Sequence, residues 1–243
     1  MERGLYIAAS GMLAEQVRQD QIANDLANAS TPGYKPDRAA QGAFNEMLLH
    51  NSSTGAAVGS LALDTGIVEL RTDLTQGPLS QTGNPLDLAL SGDGFFAVQT
   101  PGGVGYTRDG QFTTDANGRL TTVTGFTVLA TNGKPITIAD PSSVTVAPDG
   151  TVTSNGKTAG RIDVVSLTNA VKQGDTLFSG TPGARPQGTQ VEQGYIEGSG
   201  VEPARAMVDM IASLRAYEAS QRVLHAIDDT LGEATSRVGS ANG

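Results

Sequence analysis

Residues 5–29 read LYIAASGMLAEQVRQDQIANDLANA, and this stretch decides the fold. Leu5, Met12, Gln19 and Leu26 recur every seven residues, and Ala8, Glu15, Ile22 and Ala29 form a second series offset by three. An apolar seam of this period predicts a long, coiled-coil-like amphipathic helix over residues 3–29, interrupted at Glu15 and Gln19. At about 1.5 Å per residue such a helix is roughly 40 Å long, more than the width of a small domain, so it must protrude or be covered.

The far end of the chain has the same pattern. Over residues 203–231, Met207, Met210, Leu214, Tyr217, Gln221, Leu224, Asp228 and Leu231 alternate by three and four, with Gln221 and Asp228 breaking the seam. Periodicity leaves two readings open: both helices pack on the chain's own core, or they pack against other molecules. Pro32 pushes Thr31 out of the helical region and Gly33 suits a turn, so the first helix stops between Ala29 and Gly33. Ser199 and Glu202 have capping-box spacing, yet Pro203 fits the first helical position, which leaves the start of the second helix open by a few residues.

From about Ile67 the period falls to two, as in Leu86, Leu88 and Leu90, then Phe96 and Val98, Ile136 and Ile138, Val144 and Val146, Ile162 and Val164. These are expected to be half-buried strands. Turn dipeptides such as Asn117-Gly118, Asn132-Gly133 and Asn155-Gly156 separate them and favour tight antiparallel hairpins. Between Pro36 and Ser60 the pattern weakens. Phe44, Met47 and Leu48 suggest one short helix, and Asn51–Gly55 reads as a mobile linker.

A net charge of −9, with no run of Lys or Arg, argues against nucleic acid as a partner. No stretch of about 18 apolar residues is present to span a bilayer. The absence of cysteine excludes disulfides and thiolate metal sites. Leu5–Ala14 imitates a signal-peptide core, but Glu2 offsets Arg3 and the polar run Glu15–Gln21 follows, so a cleaved signal is not expected.

Catalytic and cofactor chemistry finds little to work with. His50 and His225 lack a second histidine at ligand spacing. Gly92-Asp93-Gly94 lacks the lysine of a phosphate loop, and the Asp115–Gly118 turn lacks most ligands of a calcium loop. Tyr106, Arg108 and Asp109, joined by Asp87, are the one candidate polar site, although scattered polar residues usually form a solvated surface. No catalytic residue, metal or cofactor is expected.

Taken together, Ser10-Gly11-Met12, Ile22–Asn28 and Thr31–Lys35 near the start, Pro85–Leu88, Gly92–Phe96 and Tyr106–Gly110 in the centre, and Gly194–Glu197, Ser199–Val201, Met207–Ile211 and Arg215–Ala219 near the end resemble the rod and hook family of bacterial flagellar axial proteins. That family usually has Asn where Asp25, Gly200 and Ser220 stand here. The length resembles a rod rather than a hook protein, and Gly133–Ile136 with Asp149–Arg161 resemble the proximal more than the distal rod members.

The resemblance implies an α+β chain whose N- and C-terminal helices pair as a coiled-coil-like stalk, with a central, mainly antiparallel β domain. The expected division is residues 1–35 and 201–243 as an inner core domain, 36–60 as a flexible linker and 61–200 as the β domain. It also implies a non-enzymatic subunit that polymerises helically, transmits torque across the periplasm, contacts copies of itself and neighbouring rod proteins, and leaves by the flagellar type III export apparatus without signal cleavage. The assembly interface is expected at Leu5, Met12, Ile22, Leu26, Met207, Met210, Ile211, Leu214, Tyr217, Leu224 and Leu231. The rival expectation is a ligand-binding β domain with helical arms, distinguished by a pocket at Arg108 and Asp109.

Overall fold

The computed structural model describes residues 2–43, 46–50, 57–62, 65–174 and 176–240. A helix stands at each end: α1 spans Glu2–Ala27 and α2 spans Pro203–Ser240. Pro203 opens α2, where a missing amide hydrogen costs nothing. The Glu202 carbonyl accepts the first bond from the Ala206 amide at 2.9 Å, while the Ser199 hydroxyl accepts from the Val201 amide at 3.2 Å. The chain forms two compact units, one from Met1–Ala27, Asp37–Arg71 and Glu202–Gly243, the other from Asn28–Pro36 and Thr72–Val201.

In the first unit α1 and α2 pack together. Strand Asp37–Ala43 pairs with Thr65–Thr72, and Glu46–His50 pairs antiparallel with Ala57–Ala62. The short helix expected at Met47 and Leu48 is replaced by this hairpin, in which they sit opposite Leu61 and Ser60. Pairing with a partner more than ten residues away overrides a weak local pattern. Phe44 and the linker Asn51–Gly55 lie outside the described residues.

The second unit is built on an antiparallel sheet. Its strands run in the order Leu167–Lys172, Leu177–Pro182, Gly103–Thr107, Phe95–Thr100, Thr127–Val128, Leu120–Thr122 and Phe112–Thr114, with Val164–Val165 also on Phe95–Thr100. A smaller sheet joins Val144–Val146, Thr151–Ser154 and Lys157–Arg161. The last two are linked by Asn155 and Gly156, both at positive φ (52° and 73°), the tight hairpin turn that the dipeptide encodes.

The central strands are more enclosed than simple alternation predicts. Phe96 and Val98 enter one apolar cluster with Leu88, Leu90, Phe112, Leu120 and Ile162, and Phe95 and Ala97 enter a second with Tyr106, Leu129 and Phe178. Strand Phe95–Thr100 is therefore covered on both faces over its first four residues. Phe96 meets Phe112 edge-on at 5.2 Å, and Phe95 meets Phe178 at 5.2 Å. Each such ring contributes about 1.5–3 kcal/mol of burial. Ile136 and Ile138 are buried as expected, but single bridges at Pro135 and Thr137 hold them rather than a strand.

Candidate functional site

Three contacts fix how α1 meets α2. A Cβ placed on Gly4 would lie 3.3 Å from Ile227 Cδ1, one on Gly11 would lie 3.8 Å from Ser220 Oγ, and the Ser213 hydroxyl is 2.5 Å from Glu15 Oε2 and 3.2 Å from the Glu15 carbonyl. As the α1 number rises the α2 number falls, so the helices are antiparallel. The seam uses the series Ala8, Glu15 and Ile22 on α1, but its companion series is Gly4 and Gly11 rather than Leu5 and Met12. On α2 the half-buried Met210, Tyr217, Leu224 and Leu231 alternate with Ser213, Ser220 and Ile227 rather than with Met207, Leu214, Gln221 and Asp228.

Small residues in the seam let two helices approach more closely than large ones would. The cost is that larger apolar side chains are left outside. Met207, Ile211 and Leu214 are 51, 52 and 47% exposed, and Val208 stands beside them at 65%. Their spacing of one, four and seven places them on one stripe of α2. On α1, Leu5 is exposed, Met12 and Leu26 are half-buried and Ile22 is buried, while Tyr6, Leu13 and Val17 are also exposed. The heptad pattern misses Gly4, Gly11, Ser213 and Ser220 because apolar scoring ranks them below their large neighbours. Their own seven-residue spacing was the available signal.

Glu15 gains a specific meaning in this geometry. Ser213 is 1% exposed and donates to Glu15, so a polar pair sits inside the seam. A polar pair in an apolar seam fixes register at some cost in stability.

In the second unit the sequence motifs converge on one carboxylate. Lys35, Glu197 and Arg108 are 0, 1 and 2% exposed. Lys35 Nζ donates to Glu197 Oε1 at 2.5 Å and to the Thr75 carbonyl, and Arg108 donates to Glu197 Oε2 at 3.0 Å. The Gly77 amide completes Oε1 at 2.8 Å, and the Gly92 carbonyl accepts the other arm of Arg108 at 2.7 Å. Burial pulls Lys35 and Arg108 below their ordinary pKa values, with Glu197 opposing the shift in each case. Removing one partner of such a buried set costs about 3–5 kcal/mol, because an uncompensated charge is left inside.

Arg108 is thereby unavailable for the polar site foreseen with Tyr106, Asp109 and Asp87. Asp87 accepts from Asn84 at 2.9 Å and bridges Gln111 through the backbone. Asp109 accepts from the Gln111 amide at 3.0 Å and borders an open cavity of about 260 Å³ with Thr107, Thr122, Thr124 and Phe126, a lining from which Arg108 is absent. Burial, with Asp87 nearby, raises the Asp109 pKa. Among the described residues no group of three His, Cys, Asp or Glu is placed to hold a metal ion, and no helix is long and apolar enough to cross a membrane.

Terminal helices paired through small residues with an apolar flank left bare, and an antiparallel β unit closed around a buried charge set, define an α+β protein of two units. The family described as flagella basal body rod protein matches residues 5–35, the flagellar hook protein FlgE/F/G D1 domain matches 89–154, and the flagellar basal body rod FlgEFG protein C-terminal region matches 192–237. The flagellar basal-body rod protein FlgF of Caulobacter vibrioides is 36% identical, with all of both chains covered. The flagellar hook-basal body complex protein FlhO of Bacillus subtilis is 34% identical over 98% of this chain and 99% of its own. FlgG of Agrobacterium fabrum is 34% identical over 93% and 96%. The chain belongs to the flagellar basal-body rod protein family, as a structural subunit and not an enzyme.

Proposed function

We propose that this subunit serves the proximal part of the rod, polymerising helically with copies of itself and neighbouring rod proteins to transmit torque across the periplasm. The observation that carries the assembly reading is the exposed apolar stripe Met207, Val208, Ile211 and Leu214 on a helix already paired along another face. Contiguous apolar surface of this kind marks an interaction site. Head-to-tail contacts that do not close into a ring build a helical filament.

On this reading Leu5, Met207, Ile211 and Leu214 meet neighbours directly. Met12, Ile22, Leu26, Met210, Tyr217, Leu224 and Leu231 shape the same layer from its partly covered side. The assembling unit on this reading is the one that holds both helices; residues 37–71, expected as the linker and the start of the β domain, fold with it as paired strands, and residues 28–36 fold with the β unit. Export through the flagellar type III apparatus, unfolded and without signal cleavage, belongs to the same reading. What supports the proximal assignment is the 36% identity to FlgF over the whole chain, against 34% over 93% of it for FlgG.

Imaging basal bodies after deletion of this gene tests the reading. Rods missing from their inner-membrane end onward are expected. Rods complete up to the distal segment would place the subunit elsewhere.

A further inference from the structure

Glu197 binds the chain with its main chain as well as its carboxylate. Its carbonyl accepts the Gly33 amide at 2.8 Å, and the Tyr34 carbonyl accepts the Gly200 amide at 2.9 Å. The residues that follow α1 and those that precede α2 therefore lie side by side at Glu197. Over them Lys172 places its ammonium 3.9 Å from the Tyr34 ring centre and donates to the Lys35 carbonyl at 2.9 Å. There is no slack in the fit, since a Cβ on Gly33 would come within 2.4 Å of the Arg108 and Asp109 backbone, and one on Gly200 within 2.9 Å of Pro36.

We propose that Lys35, Glu197 and Arg108 form a clasp that opens and closes as one unit, holding residues 31–36 against residues 195–201. Arg108 also faces the apolar core, its guanidinium 5.5 Å from the Phe95 ring centre, so the clasp is set apart from the core by its charges and not by separation from it. A buried charge set resists partial opening, because Glu197 accepts from both cations and releasing it leaves Lys35 and Arg108 facing each other in low dielectric. The clasp joins segments 162 positions apart. Any pull on the chain at residue 28 or at residue 201 reaches these charges before it reaches the sheet. The clasp lies within a single chain and does not depend on where in the rod the subunit sits.

Hydrogen exchange on the full chain separates clasp from core. The Gly33 and Gly200 amides report the clasp, and the amides of Phe96–Val98 report the core. Glu197→Gln keeps the shape of the side chain but leaves Lys35 and Arg108 facing each other. Exchange at Gly33 and Gly200 is expected to accelerate by roughly tenfold or more, with cleavage by chymotrypsin after Tyr34, while Phe96–Val98 stay slow. Adding Lys35→Met to Glu197→Gln removes one stranded charge and should restore part of the lost protection. Unchanged exchange in Glu197→Gln, equal acceleration of clasp and core, or a double variant no better protected than the single would each overturn the proposal. If Glu197→Gln does not fold, the double variant decides: a folded double supports the clasp and an unfolded one refutes it.

Discussion

In the second unit Lys35, Arg108 and Glu197 are shut inside while Phe95, Phe96 and Phe178 fill the two faces of one strand. In the first unit the arrangement is reversed: Gly4, Gly11, Ser213 and Ser220 take the helix seam, and Met207, Ile211 and Leu214 stand about half exposed. The β unit covers both faces of its central strand, and the large apolar residues it leaves exposed, Val104, Val123 and Val171, lie on three different segments. On the helix pair Met207, Val208, Ile211 and Leu214 share one stripe of a single helix, the kind of apolar surface a polymer subunit keeps for its neighbours.

The sharpest way to break this contrast is to intrude on the closed unit. Gly110 lies so close to Leu88 that an added Cβ would sit 1.6 Å from the Leu88 carbonyl oxygen, and the Leu88 amide donates to the Gly110 carbonyl at 3.0 Å. Gly110→Ala is expected to cost on the order of 4 kcal/mol or more, at the top of the range for one substitution. Thermal unfolding followed by circular dichroism checks this. A melt within a few degrees of wild type would mean that the second unit has room to yield.

Leu214→Glu tests the open unit. At 47% exposure the change leaves the monomer within about 0.5 kcal/mol of wild type, yet it places a charge on the apolar stripe and should block incorporation into rods. Normal rods built from this variant would remove Leu214 from the interface.

A finer test uses pH. Burial is the main cause that lifts the Asp109 pKa, and Asp87 adds to it against the opposing Gln111 amide. A carboxyl group whose folded pKa exceeds its unfolded value stabilises the fold most below the ordinary carboxylate range and loses that contribution as pH rises through the folded value. Asp109→Asn keeps an acceptor for the Gln111 amide but carries no charge. Its urea midpoint should therefore gain on wild type as pH is raised from about 4 to about 7. A constant difference across that range would mean that the carboxylate is solvated.

Much of this architecture is legible in the residues, and the illegible part has physical causes. The series Ala8, Glu15, Ile22 and Met210, Tyr217, Leu224, Leu231 locates half of each seam by period alone. The other half is chosen by volume, because close helix packing favours Gly4 over Leu5 and Ser213 over Leu214, and hydrophobicity ranks those pairs the other way. Asn155-Gly156 encodes its turn locally, so it reads directly. Met47 and Leu48 do not, since their partners Leu61 and Ser60 lie beyond any short window. Thr31–Lys35, Tyr106–Gly110 and Gly194–Glu197 each stand out as motifs. Their meeting at one carboxylate is a property of the fold, invisible until a separation of 162 positions is closed.

The smallest expected effect comes from Gly11, and it has the opposite sign. A glycine inside a helix costs about 0.5–1 kcal/mol relative to alanine, because it has more freedom to lose on folding. A Cβ at Gly11 would meet Ser220 Oγ at 3.8 Å, an ordinary contact distance, and the position has no left-handed backbone to strain. Gly11→Ala should thus stabilise the helix pair by up to about 1 kcal/mol, read as slower hydrogen exchange along α1 with the second unit unchanged. Gly11→Leu should do the reverse, since its extra atoms must displace α2. If alanine also loosened α1, the helices would pack closer at this point than 3.8 Å allows, and the small-residue seam would be tighter than the contact with Ser220 implies.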